Sequence, residues 1–113
     1  MSDLTNKKCL PCEGIGKKYT DEEIMAQCKV IHQDWAYDQN RVAIVRTFHF
    51  KNYYEVLAFV NAVGWISHQE DHHPTLTVYY DHCEVVYNTH ALGGVTENDF
   101  ICASKVDALI VDD

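Results

Sequence analysis

Apolar positions recur along this chain at two different periods, and the two alternate. Between residues 52 and 69, Val56, Phe59, Val60, Val63 and Ile66 step by three and four, the spacing of one buried helical stripe. Asn52 stands where a cap belongs, and His72-His73-Pro74 ends the pattern, because proline disfavours the α conformation in the residue before it. A shorter helix is predicted from Thr20, with Glu23 three residues on completing a capping box and Ile24, Cys28 and Ile31 on one stripe, to end near Gln33. Trp35 to Asp38 and Arg41 to Phe50 read as two strands joined at Asp38-Gln39-Asn40. In the second of them Val42, Ile44, Phe48 and Phe50 share a face that Arg46 interrupts. Leu76 to Tyr80 and Cys83 to Thr89 alternate as a second hairpin, turning at Asp81-His82. After Gly93-Gly94, Thr96 and Asp99 mark the start of a last helix that carries Phe100, Ala103, Val106 and Ile110 inward.

The order is α-β-β-α-β-β-α. Hairpins separated by helices predict an α+β layer: a four-stranded antiparallel sheet with three helices on one face. The other face then needs polar residues, a ligand or a partner subunit. Residues 1–19, with Pro11, Gly14 and Gly16, read as an irregular lead-in, and residues 20–113 as a single domain.

Composition narrows the function classes. A chain of 113 residues that is 47% hydrophobic folds, but its core is thin, which favours assembly into an oligomer. Nine basic against seventeen acidic residues give a net charge of −8, which argues against a nucleic-acid surface. No run approaches the roughly 20 apolar residues that span a bilayer, so no membrane segment is expected. Met1 to Lys8 is polar and lacks a signal segment, so the expected compartment is the cytoplasm, where thiols stay reduced. The cysteines, at 9, 12, 28, 83 and 102, are odd in number and scattered, unlike a disulfide framework. Cys9-Leu10-Pro11-Cys12 is a single CxxC with no second pair to complete a zinc ribbon. Cys28, Cys83 and Cys102 fall on apolar stripes and read as small core residues.

Histidine is the conspicuous chemistry. Seven are present, and His68, His72, His73 and His82 crowd the middle of the chain, with His90 following the last strand. An imidazole gives or takes a proton near neutral pH. Neighbours in an extended segment point opposite ways, so His72 and His73 are expected to play different roles. In a paired hairpin the start of the third strand lies beside the end of the fourth, which brings Pro74 to Leu76 close to Asn88 to His90. His72, His73 and His90 can therefore line one pocket. A metal site is the rival reading, but His-His-Pro lacks the i, i+4 spacing of a helical ligand pair. Asp99 is read as a capping carboxylate at a helix N-terminus, a role that is compatible with a place in the site.

Asp71-His72-His73-Pro74, Asn88-Thr89-His90 and Gly94-Val95-Thr96-Glu97-Asn98-Asp99, in this order and spacing, resemble the pterin-4a-carbinolamine dehydratases. Thr47 to Tyr53, Phe59 to Val63 and the Cys9 to Gly14 lead-in are similar to further parts of that family, so the likeness runs from about residue 9 to 111. The resemblance implies the same α-β-β-α-β-β-α layer, assembled as a homodimer or homotetramer. It implies a hydro-lyase that removes water from a 4a-hydroxy-tetrahydropterin with no metal or organic cofactor, in recycling the pterin of an aromatic amino-acid hydroxylase. His72, His73 and His90 would be catalytic, and Pro74, Thr89 and Asp99 would contact the substrate. His90 and His73 would each transfer a proton, and His72 would orient the ring or the leaving hydroxyl. His68 stands where many relatives carry Glu, and Leu76 where short animal members carry Trp. The alternative within the same fold is a non-catalytic dimerisation or assembly cofactor.

Overall fold

The computed structural model describes residues 3–11 and 17–110, and its elements follow the expected order. They are α1 (Asp21–Cys28), β1 (Ala36–Asp38), β2 (Ala43–His49), α2 (Tyr53–Glu70), β3 (Thr75–Val78), β4 (His82–Tyr87) and α3 (Glu97–Asp107). Single 3-10 turns lie at Asp3–Asn6, within the lead-in, and at His90–Leu92.

The caps form as the sequence implies. Glu23 N–H donates to Thr20 Oγ1 (3.2 Å), and Thr20 N–H to Glu23 Oε1 (2.8 Å), so the first turn of α1 has its box. α1 stops at Cys28 rather than near Gln33, because β-branched Val30 and Ile31 are poor helix continuers. Ile31 still reaches the core from beyond the helix. Asn52 Oδ1 accepts from Glu55 N–H (3.0 Å) at the head of α2, and Val56, Phe59, Val63 and Ile66 are buried along it. Phe59 packs between Phe48 and Phe50, with ring centroids 4.7 and 5.1 Å away.

Strand boundaries shift where turn chemistry takes over. Asp38 Oδ1 accepts from the backbone N–H of Asn40 and Arg41, extending the turn, and Val42 adopts a left-handed φ of 50°. Val42 therefore leaves the buried face expected for it, and β2 begins at Ala43. The second hairpin closes with Tyr79 N–H on the His82 carbonyl (2.9 Å), so β3 starts at Thr75 and β4 at His82, each one residue early.

The sheet runs β1-β2-β4-β3, antiparallel at every pair. α2 carries the chain from β2 across β4 to the far edge, leaving β2 and β4 as the central pair. Ile44 and Phe48 of β2 and Cys83, Val85 and Tyr87 of β4 point to the helical side, where Phe100, Ile101, Ala103 and Val106 of α3 join the core. The opposite face carries Thr47, His49, Thr75, Thr77 and Glu84, and Arg41 forks onto Glu84 at 3.0 and 3.2 Å. Polar side chains thus occupy much of the face the helices leave uncovered. No helix of the described residues is long and apolar enough to cross a membrane.

Arg46, which breaks the apolar pattern of β2, is buried on the core side. Its guanidinium sits 4.2 Å from the Phe48 ring centroid and donates to Asp107 Oδ1 at 2.7 Å. Asp107 also accepts from Trp35 Nε1. Burial pushes the Asp107 carboxyl up, and the Trp35 and Arg46 donors oppose that shift. The pair ties β2 to the last turn of α3. Removing one partner leaves a buried charge alone, so Arg46→Ala is expected to cost about 3 kcal/mol in urea unfolding. A loss below about 1 kcal/mol would mean that the pair is not a structural tie.

Candidate active site

The ends of α2 and β4 converge at one end of the sheet. α2 finishes at Glu70, Asp71 turns left-handed (φ 52°), and His72 N–H reaches back to the Ser67 carbonyl (3.2 Å). This termination sets where His72 lies. Pro74 then leads into β3, and the register Thr75↔Val86 lays the start of β3 against the end of β4. Beyond β4, Thr89 and Gly94 bridge each other, with Thr89 N–H donating to the Gly94 carbonyl at 2.6 Å. The intervening 3-10 turn places His90, and Gly93 closes it at φ 63°, a conformation that favours glycine.

Between these ends is a cleft of about 350 Å³ lined by Asp71, His72, His73, Thr75, Asn88, Thr89, His90 and Ala91. A wider hollow of about 960 Å³ lies open over β1 and β2, but it brings only His49 among the histidines. The smaller cleft is the candidate site, since three imidazoles line it and a buried carboxylate lies beneath it.

That carboxylate is Asp99, which is fully buried. Oδ1 contacts His72 Nε2 at 2.6 Å. Oδ2 accepts from Thr96 N–H (2.9 Å) and from the Thr89 hydroxyl (2.9 Å), and Thr89 and Thr96 share a hydroxyl contact of 2.7 Å. The capping role and the site role of Asp99 are one arrangement. This contact fixes the Nε2 edge of the His72 ring on the carboxyl and turns the Nδ1 edge away from it. The His72 ring also lies parallel to Tyr87, 9° between planes and 5.9 Å between centroids. Burial pushes the Tyr87 phenol well above its ordinary value, so it stays neutral.

The structure brings together all three histidines singled out in the sequence, in unlike settings. His72 is nearly enclosed, whereas His73 and His90 are exposed at the cleft. Thr89 lines the cleft as well. Asp99 lies beneath it and reaches it through His72, and Pro74 is half-buried and outside the lining. Thr75, Asn88 and Ala91 complete the lining; the hairpin register carries a signal for the first two. Thr96 could have been found from the capping box, which points its hydroxyl inward. His68 sits 5.3 Å from Trp65, away from the cleft, and Leu76 is half-buried opposite Val85. Glu70 is buried elsewhere. Burial would raise its carboxyl, but Cys9 N–H, Lys105 and Lys8 hold it below its ordinary range. Among the described residues, no group of three or more His, Cys, Asp or Glu is placed to hold a metal ion. Cys12 lies outside the described residues.

A fold of this order with a histidine cleft at the strand ends defines a class that comparisons with known proteins make specific. Residues 17–109 match the family described as pterin 4 alpha carbinolamine dehydratase. A Nitrosomonas eutropha protein is 54% identical over 111 residues, spanning 98% of this chain and 96% of its own length. A Legionella pneumophila protein is 49% identical over 111 residues, 98% of each chain. Both are named among the pterin-4-alpha-carbinolamine dehydratases. The crystal structure of a transcriptional coactivator/pterin dehydratase from Brucella melitensis superposes with a TM-score of 0.77 at 29% identity, covering 82% of this chain and 98% of that one. The chain belongs to the pterin 4 alpha carbinolamine dehydratase family, and its enzyme class is hydro-lyase.

Removing the shared carboxylate strands the Thr96 N–H in the interior, takes His72 Nε2 off its anchor and leaves the Thr89 hydroxyl only its Thr96 Oγ1 contact. Asp99→Ala is therefore expected to lower unfolding free energy by about 3 kcal/mol. A loss within about 0.5 kcal/mol, the range of an unremarkable surface change, would contradict the network as described.

Proposed function

We propose that the cleft between His72, His73 and His90 dehydrates a 4a-hydroxy-tetrahydropterin to the quinonoid dihydropterin by histidine general acid–base catalysis. The observation that carries this reading is the convergence of three imidazoles, one of them anchored on a buried carboxylate, in a cleft wide enough for one flat heterocycle. The reaction needs a proton delivered to the C4a hydroxyl as the C–O bond breaks and one removed from N5 as the C4a–N5 double bond forms. Water leaves, and no electrons are exchanged with a second reactant. Neither a metal nor an organic cofactor is required by this balance.

The different exposure of the three rings supports a division of roles. A group that must be reset by water after each turnover needs solvent access, which His73 and His90 have. His72, held by Asp99 and flanked by Tyr87, is suited to orient the ring or the leaving hydroxyl. Thr89, at the cleft wall, and Asn88 offer hydrogen bonds to the polar edge of a pterin.

The setting follows from the same reading: recycling of the pterin used by an aromatic amino-acid hydroxylase, in the cytoplasm. A homodimer or homotetramer would supplement the thin core and cover Tyr54, Leu57 and Trp65, which are exposed along α2. The second reading is a non-catalytic dimerisation or assembly cofactor. It is favoured by the name of the Brucella neighbour, a transcriptional coactivator as well as a dehydratase.

A carbinolamine breakdown assay separates the two. His73→Ala and His90→Ala are each expected to cut turnover at least about tenfold while the fold survives, as loss of a general acid or base does. Full activity in either variant would refute the division of roles. No saturable turnover in the unmodified protein would favour the cofactor reading.

A further inference from the structure

The lead-in contributes a sulfur that the dehydration does not use. Cys9 N–H donates to Glu70 Oε1 (2.8 Å), Leu10 N–H to Asn98 Oδ1 (3.0 Å), and Asn98 Nδ2 to the Leu10 carbonyl (2.7 Å). These bonds strap residues 9–10 across the end of α2 and the start of α3. They also hold Cys9 Sγ 3.5 Å from Cys102 Sγ, although the two residues lie 93 positions apart. Cys9 is half-buried, and Cys102 is fully buried on α3.

We propose that Cys9 and Cys102 form a dithiol modification site, which a low-molecular-weight disulfide such as oxidised glutathione converts to an intramolecular disulfide locking the lead-in onto α3. A disulfide needs its sulfurs about 2.0 Å apart, so closure asks for a shift of side chains already in contact. Exchange enters at Cys9, the less buried of the two residues. Its thiolate attacks one sulfur of the oxidant, and the first glutathione thiolate leaves and takes a proton. The Cys102 sulfur then attacks Cys9 Sγ, loses its own proton, and expels the second glutathione. Two protein thiols are oxidised and one glutathione disulfide is reduced to two thiols, so atoms and electrons balance.

Contact with Cys9, then burial, then the nearby Asp99 and Glu70 carboxylates push the Cys102 thiol far up. Cys102 therefore stays a thiol while Cys9 reacts, and the second step is the slow one. The lock falls on both stretches that flank the His72–Asp99 contact, since Glu70 precedes Asp71-His72 and Asn98 precedes Asp99. Closing so long a loop restricts the unfolded chain, so the oxidised form melts at a higher temperature than the reduced form.

The test is to incubate the full chain with oxidised glutathione, alkylate the remaining thiols, and map peptides by mass. The expected product is about 2 Da lighter than the reduced chain before alkylation, and after it has one peptide linking Cys9 to Cys102 and no retained glutathione. It forms equally in Cys12→Ser, is absent in Cys9→Ser, and melts several degrees higher than the reduced protein. A Cys9–Cys12 link, a lasting glutathione adduct at Cys9, no reaction at all, or a linked product with an unchanged melting temperature would each overturn the proposal. Cys9→Ser leaves the interior intact, so its result does not depend on tolerance of a change at buried Cys102.

Discussion

A buried carboxylate must be paired on every side, and the pairing of Asp99 organises the functional end of this molecule. One oxygen meets His72, and the other takes the Thr96 N–H and the Thr89 hydroxyl. Three separate segments are thereby fixed to one group: the loop after α2, the strand end after β4, and the first turn of α3. Without these partners the charge would be too costly to bury. With them, a local helix cap also sets the direction of an imidazole in the cleft. Tyr87 adds a flat neutral ring on which His72 rests, so the histidine is constrained by charge at one nitrogen and by packing along its face.

Most of the architecture was legible because local chemistry and the global fold agree. The α2 stripe, the three caps and the alternation in β2 and β4 each point to the element that forms. The places that were misread are those where a second rule competes. Asp38 bonds two following amides and prolongs a turn into what looks like a strand, taking Val42 with it. Val30 and Ile31 end α1 early although Ile31 is still needed in the core. Arg46 had no explanation in the sequence, because its partner Asp107 is 61 residues away on another element.

The site divides in the same way. Hairpin register alone was enough to bring His72 and His73 toward His90, since pairing a strand start with a strand end follows from topology. The capping box put Asp99 at a helix start, but its second contact with His72 depends on how the layers stack, which no local pattern encodes. The lead-in is a further case: its hold on Glu70 and Asn98 spans 61 and 88 residues, and nothing nearby in the sequence announces it. Glu70 and Asp71, adjacent acids near the histidine pair, serve separate ends. One anchors the lead-in from within the protein, and the other lines the cleft.

An enclosed His72 beside exposed His73 and His90 is the arrangement expected if one imidazole positions a flat ring and two trade protons with water across it. The most direct test is a titration with a stable dihydropterin, following the side-chain nitrogen resonances of all seven histidines. The account predicts saturable shifts at His72, His73 and His90, with His49 and His82 on the sheet silent. Shifts confined to His49 and His82, with the three cleft histidines unmoved, would contradict it.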